Sequence, residues 1–175
     1  MIVVRRAEPR DAAVVAEIYN QGIADRVATF ETEPRQTAEM ERRIADRAHP
    51  FVVAEDAGQV VGWAAAGVYR PRTCYVGVGE FSVYVERGQR GRGVGRMLLE
   101  ALIAETERLG FWKLVSRVFT FNAASRALCQ VCGFREVGVY QRHGRLDGRW
   151  VDCVIVERLL DYRGGTQCAP PSVLQ

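Results

Sequence analysis

Lysine is nearly absent from this chain: Lys113 is the single example, against 23 arginines. A nucleoside-triphosphate loop of the G-x-x-x-x-G-K-[ST] kind needs a lysine for its β- and γ-phosphates, so that chemistry is excluded. Histidine is scarce as well. His49 and His143 are the two present, and no second pair of ligands completes Cys129-x-x-Cys132 as a tetrahedral metal site. No metal is expected. The five cysteines are odd in number and irregular in spacing, which argues against a disulfide framework and for reduced thiols. Cys129-x-x-Cys132 also falls near the end of a predicted helix, whereas a redox thiolate is stabilised at a helix start. These cysteines read as packed thiols.

No apolar run approaches a bilayer span. The opening Met1-Ile2-Val3-Val4-Arg5-Arg6 reads as a strand and lacks the successive regions of a signal peptide. A soluble, cytoplasmic protein is expected. The net charge of +3 is small, and the arginines are not clustered with stacking aromatics. Neither nucleic acid nor a membrane is an expected partner. The 175 residues suit one domain, placed at 1–162. A polar tail at 163–175 holds Pro170-Pro171 and is expected to be disordered.

Against these absences stands Arg90-Gly91-Arg92-Gly93-Val94-Gly95. It follows the alternating run Glu80-Phe81-Ser82-Val83-Tyr84-Val85 and opens an amphipathic helix. Small residues let backbone amides converge, and the helix N-terminus adds partial positive charge, so the stretch is a phosphate site. It is not a dinucleotide fingerprint. Arg96 stands where the third glycine belongs, and no Asp or Glu occurs between Glu107 and Glu136 to hold a ribose.

Periodicity and turn chemistry give the rest of the order. Strands are expected at 2–6, 51–55, 60–66, 75–86, 112–119, 134–142 and 150–158. Helices are expected at 9–20, with Val14, Ile18 and Gln21 on one face, and at 37–47, 93–109 and 123–132. Residues 21–36 read as a loop with a short helical piece, and 143–149 as a loop. Asn122 is a good N-cap, and Arg70-Pro71-Arg72 is a stiff connector. This order is an α/β (α+β) arrangement: a mixed sheet with helices on both faces.

Arg90, Gly93 and Gly95 match R-x-x-G-x-G after a strand. With the element order and Asn122-Ala123-Ala124-Ser125-Arg126-Ala127-Leu128 ending in Gly133-Phe134, the chain resembles the GCN5-related N-acetyltransferase (GNAT) superfamily across residues 2–160. Ile18-Tyr19-Asn20, Ala28-Thr29-Phe30-Glu31, Tyr69-Arg70-Pro71-Arg72, Glu80–Val85 and Gly148-Arg149-Trp150-Val151-Asp152 are similar to its phosphinothricin, arsinothricin and methionine sulfoximine N-acetyltransferase branch. The resemblance implies a largely antiparallel mixed sheet and a V-shaped opening between two parallel central strands. It also implies acetyl-CoA as cosubstrate, acetyl transfer to the amine of a small amino-acid analogue with a detoxifying role, and a homodimer bordering the substrate site.

Residue roles follow. The amides of 90–96 would hold the pyrophosphate, with Arg90, Arg92 and Arg96 adding charge or lying solvated. Val83 and Val85 would offer main-chain groups, though their side chains read equally well as core. Asn122 either caps its helix alone or also bonds the cofactor, and Ser125 is a further cofactor contact. Glu80, beside the acyl site, is the general base, and burial beside Phe81 and Val83 is expected to raise its basicity. Arg70 and Arg72 are expected to fork an anionic substrate group. Tyr19 and Phe30 would wall the pocket or serve the core, and Asn20 would make a polar contact. His143 reads as a surface or dimer residue, and Trp150 and Asp152 as organising the last strand. Cys129 stands where many superfamily members carry a tyrosine acid, so no acid is assigned. Two other readings stay open: a GNAT acting on a protein N-terminus, polyamine or aminoglycoside, and a non-catalytic acyl-CoA sensor. The first would want an acidic groove, against which Arg70-Pro71-Arg72 argues.

Overall fold

The computed structural model describes residues 1–161; the tail expected at 163–175 lies outside them. Seven strands make one sheet in the order β1-β2-β3-β4-β5-β7-β6. They are β1 Ile2–Arg6, β2 Phe51–Asp56, β3 Gln59–Val68, β4 Val78–Val85, β5 Lys113–Phe119, β6 Arg135–Leu146 and β7 Arg149–Leu159. Only β4 and β5 run parallel; every other neighbouring pair is antiparallel. The helices are α1 Ala12–Asp25, α2 Thr37–Ala45, α3 Val94–Arg108 and α4 Ala123–Val131.

The pleat sorts the central strands between two cores. Val52, Ala54, Ala64, Ala66 and Phe81 face Leu98, Leu99, Leu102 and Ile103 of α3. Phe51, Val53, Trp63 and Ala65 face Val15 and Ile18 of α1 and Met40 and Ile44 of α2. Strands buried on both faces read as continuous apolar runs, which is why β2 and β3 show little alternation. A smaller core under the far end of the sheet joins Phe119, Leu146, Val151 and Cys153, with Phe30 packed on it.

Three expectations shift. The first helix does not stop near residue 20 but continues to Asp25, ending where Arg26 turns left-handed at φ 59°. Gly22 lies inside the helix, where a Cβ would stand 2.6 Å from the Tyr84 ring. The buried face of α1 is Val15, Ala16, Ile18, Gly22 and Ile23, and Val14 is exposed. The loop expected at 143–149 is instead the end of β6 and a tight hairpin at Asp147-Gly148, both with positive φ. Asp152 accepts the Arg142 amide at 2.6 Å, fixing the irregularity in β6 between Tyr140 and Gly144.

Candidate active site

The site begins where the parallel pair comes apart. β4 and β5 are in register only over Val78, Gly79 and Glu80 against Lys113, Leu114 and Val115. Beyond this point Ser116 Oγ bridges the gap by donating to the Phe81 carbonyl at 2.9 Å. The Glu86 amide donates to Val61 on the β3 side. By alternation, the main-chain groups of Phe81, Val83 and Val85 therefore point into the split. A cavity of about 480 Å³ lies on one side of it and one of about 520 Å³ on the other. They share Ala28, Val83, Tyr84, Asn122, Ser125 and Leu128.

The second cavity is lined by Gly91, Gly93, Val94 and Gly95. Gly91 and Gly93 have φ of 76° and 83°, and no atom lies within 4 Å of where a Cβ would stand on either. Glycine is there for the backbone conformation, and the space beside it is open. Gly93 caps α3 with no side chain, and the amides of Arg96 and Met97 both return to its carbonyl. The amides of Val94 and Gly95 come before the first intrahelical bond and have no helical acceptor. This cradle fits an anion of pyrophosphate size.

The arginines around the cradle are tied to the protein. Arg90 donates from Nε to the Val85 carbonyl at 3.1 Å and pairs through Nη2 with Asp25 at 2.8 Å. Arg87 pairs with the same carboxylate at 2.6 Å. Hydrogen bonding from Arg87, which with Arg90 outweighs burial, holds the Asp25 carboxyl below its usual range. Arg96 lines the cavity while bonded to Glu100 at 2.7 Å. Arg92 points away, to Gln89 and Asp56, and its side chain does not line the cavity. Asn122 caps α4 through the Ser125 amide at 3.0 Å, and its amide nitrogen holds the Val27 carbonyl at 2.9 Å. Asn122 and Ser125 both line the shared wall.

The first cavity gathers Glu80, Tyr19, Phe30, Arg43, Tyr84, Arg117, Cys129 and His143. Glu80 is 27 % exposed and accepts a hydrogen bond from Arg117 Nε at 2.9 Å, with Nη2 donating to the same oxygen. The pleat puts Phe81 and Val83 on the opposite face of β4 from Glu80, so the apolar burial expected for its carboxylate is replaced by this ion pair. Tyr19 packs on Tyr84 with the rings tilted and 4.7 Å between centroids, and meets Trp63 edge-on at 5.6 Å. Burial, then the nearness of Tyr19, pushes the Tyr84 phenol well above its usual range, so it stays a neutral wall. Phe30 packs on Phe119 at 4.8 Å and requires Gly144, where a Cβ would stand 2.7 Å from its ring. Burial, then the neighbouring Cys132, pushes the Cys129 thiol up to about 12.

Two groups of expected substrate residues lie elsewhere. Asn20 spends both ends of its amide on the Arg35 backbone, at 2.8 and 3.1 Å, and does not line the cavity. Its work is to pin the 31–36 loop to α1. Arg70 and Arg72 do not line it either. Lining on β3 stops at Gly67 and Val68, and Arg70 lies 5.3 Å over the Tyr69 ring. Sequence reasoning missed Arg43, Tyr84 and Arg117. A charged residue in the middle of an interior strand, such as Arg117, is a signal in itself, because it demands a partner.

Residues 16–134 match the acetyltransferase (GNAT) family. The phosphinothricin N-acetyltransferase of Alcaligenes faecalis is 38% identical over 90% of this chain and 82% of its own. The L-methionine sulfoximine/L-methionine sulfone acetyltransferase of Pseudomonas aeruginosa is 35% identical over 90% of this chain and 94% of its own. Among solved structures, a GNAT phosphinothricin acetyltransferase from Sinorhizobium meliloti in complex with acetyl-CoA superposes with a TM-score of 0.86 at 33% identity. That match covers 97% of this chain and 93% of the other. The chain belongs to the acetyltransferase (GNAT) family.

Proposed function

We propose that this N-acetyltransferase moves the acetyl group of acetyl-CoA to the α-amine of a small amino-acid analogue of the phosphinothricin, arsinothricin or methionine sulfoximine kind, and so detoxifies it. One observation carries the reading. Glu80 lines a cavity of amino-acid size that joins the amide cradle through the β4/β5 split. Acetyl-CoA, when bound, supplies an activated acyl carbon on a thiol leaving group. The amides around Gly93 hold its phosphates, and the main chain of Val83 and Val85 faces its arm. Tyr19, Phe30 and Tyr84 shape the amine's side and exclude water.

Glu80 takes the proton that the substrate ammonium must lose before its nitrogen has a lone pair. Cys129 is not the acid for the leaving thiolate. A thiol pushed to about 12 is a poorer donor than water-exposed thiols near 8.5. The enzyme acts as a cytoplasmic homodimer in this reading. Val137, Val139 and Tyr140 are exposed on the edge strand β6, which also carries His143 to the cavity. An exposed apolar edge of this kind invites a partner.

The test is thiol release from acetyl-CoA across phosphinothricin, arsinothricin, methionine sulfoximine, a polyamine, an aminoglycoside and a peptide N-terminus, with sedimentation for the dimer. Turnover confined to the amino-acid analogues is expected. Preference for a polycation or peptide sinks the reading, and acetyl-CoA binding without any turnover favours a sensor.

A further inference from the structure

Arg43 is the unspent cation of the amine cavity. Two arginines line that cavity, and Arg117 is committed to Glu80. Glu39, one helical turn before Arg43 and its natural partner, is taken by Arg35 at 2.6 Å. Arg35 also binds Glu31 at 2.6 Å, and its backbone is fixed by Asn20. Among the described residues no carboxylate pairs with Arg43. Its guanidinium instead lies 5.6 Å from the Phe51 ring centre and 5.7 Å from that of Trp63, on the cavity wall. Burial lowers its pKa from the usual arginine value, yet an arginine stays charged in a protein. Glu39 still acts on it through space, but a poorly hydrated cation with no directly bonded counter-ion is costly unless a ligand brings one.

We propose that Arg43 binds an oxyanion of the substrate, either the α-carboxylate or an acidic side-chain group, in the cavity that also holds Glu80. This rests on the amino-acid reading above and places on α2 an anion contact additional to those expected of Arg70 and Arg72. The guanidinium is held near two rings, and its planar fork matches the paired oxygens of a carboxylate or phosphinate.

Calorimetric titration of the whole enzyme, with turnover in parallel, tests it. Wild type, Arg43→Lys and Arg43→Gln are titrated with four ligands. Phosphinothricin carries both anions, methionine sulfone the carboxylate alone, and 3-aminopropyl(methyl)phosphinic acid the phosphinate alone; propylamine carries neither. Coenzyme A binding reports that each variant is folded. In Arg43→Gln, Kd and KM are expected to rise about 10- to 100-fold for the ligands bearing the recognised anion, as for a lost charge-assisted pair. Arg43→Lys falls between, and coenzyme A and propylamine are unaffected. Whether methionine sulfone or the phosphinate is penalised identifies which oxyanion Arg43 holds. Equal losses for propylamine or coenzyme A would make Arg43 a packing residue and overturn the proposal. So would unchanged affinities in Arg43→Gln alongside losses in Arg72→Ala. Normal anion-dependent binding without wild-type turnover would leave Arg43 standing and remove the enzymatic reading instead.

Discussion

Arg117 directs both Nε and Nη2 at one oxygen of Glu80, Oε1, and neither bond uses Oε2. The two residues come from β4 and β5 at the point where those strands part. The pair therefore orients the carboxylate across the mouth of the split while leaving an oxygen for the substrate amine. Glu80→Gln keeps the shape and removes the carboxylate proposed as the base. We expect kcat to fall about 10²- to 10⁴-fold at neutral pH with coenzyme A affinity intact. The loss should shrink as pH rises through the amine's own pKa. Arg117→Gln frees the carboxylate, and loss of orientation lowers kcat by about 10- to 100-fold, with Arg117→Lys recovering part of it. A Glu80→Gln enzyme with wild-type turnover removes the base from the mechanism.

The cradle makes a separate prediction. Gly93 holds φ at 83° with open space around it, so conformation and not crowding selects glycine. Gly93→Ala is expected to cost about 1–2 kcal/mol of backbone strain and to weaken acetyl-CoA binding by a similar factor, as the Val94 and Gly95 amides turn out of line. Calorimetry with coenzyme A reads this directly, and amino-acid KM should barely move. An unchanged coenzyme A Kd would mean that these amides do not carry the phosphates.

The legible parts of this protein were the ones decided locally. Arg90–Gly95 announces itself because its chemistry needs only adjacent residues, and Asn122 reads as a cap for the same reason, as its bond to Ser125 bears out. The parts that were not legible depend on distant neighbours. The first helix looks shorter than it is until Tyr84 is seen packed against Gly22 inside it. Asn20 looks like a pocket residue until Arg35 takes both its ends. Arg43 gives no local sign of facing the cavity, because it is Arg35, arriving from a loop, that takes Glu39 one turn before it. The stretch 143–149 reads as a loop because its glycines and charges mask the end of β6 and the tight Asp147-Gly148 turn.

Acid should destabilise the fold through Asp11. This carboxylate is 5% exposed, receives Arg5 at 2.7 and 2.9 Å and accepts the Glu8 amide at 2.8 Å. Burial acts to raise its pKa, but the Arg5 and Glu8 hydrogen bonds outweigh it and hold the group below 3.8. A folded pKa below the unfolded one gives stability that is complete above about pH 4 and drains away as pH falls towards the folded value. Asp11→Asn is expected to cost about 2–4 kcal/mol at neutral pH, since it leaves Arg5 part-buried with half its partners. Urea unfolding of both proteins between pH 3 and 7 checks this: the gap should narrow on the acid side, and a constant gap would assign the loss to packing.

The cysteines supply a last test, of how tightly the cavity's inner end is packed. Burial raises the thiols of Cys129, Cys132 and Cys153, that of Cys129 to about 12, while Cys74 is exposed on the connector after β3. The thiolate is the reactive form, so at pH 8 only about one Cys129 in ten thousand is primed to react, and the closed wall hinders the reagent further. Iodoacetamide on the native protein should label Cys74 among the four described cysteines, with the other three reacting only in denaturant. Mass spectrometry of digests reads the order. Labelling of native Cys129 at a rate close to that of Cys74 would show that the inner end of the first cavity opens, and Cys129 would then have to be reconsidered as a group that meets the cofactor's sulfur.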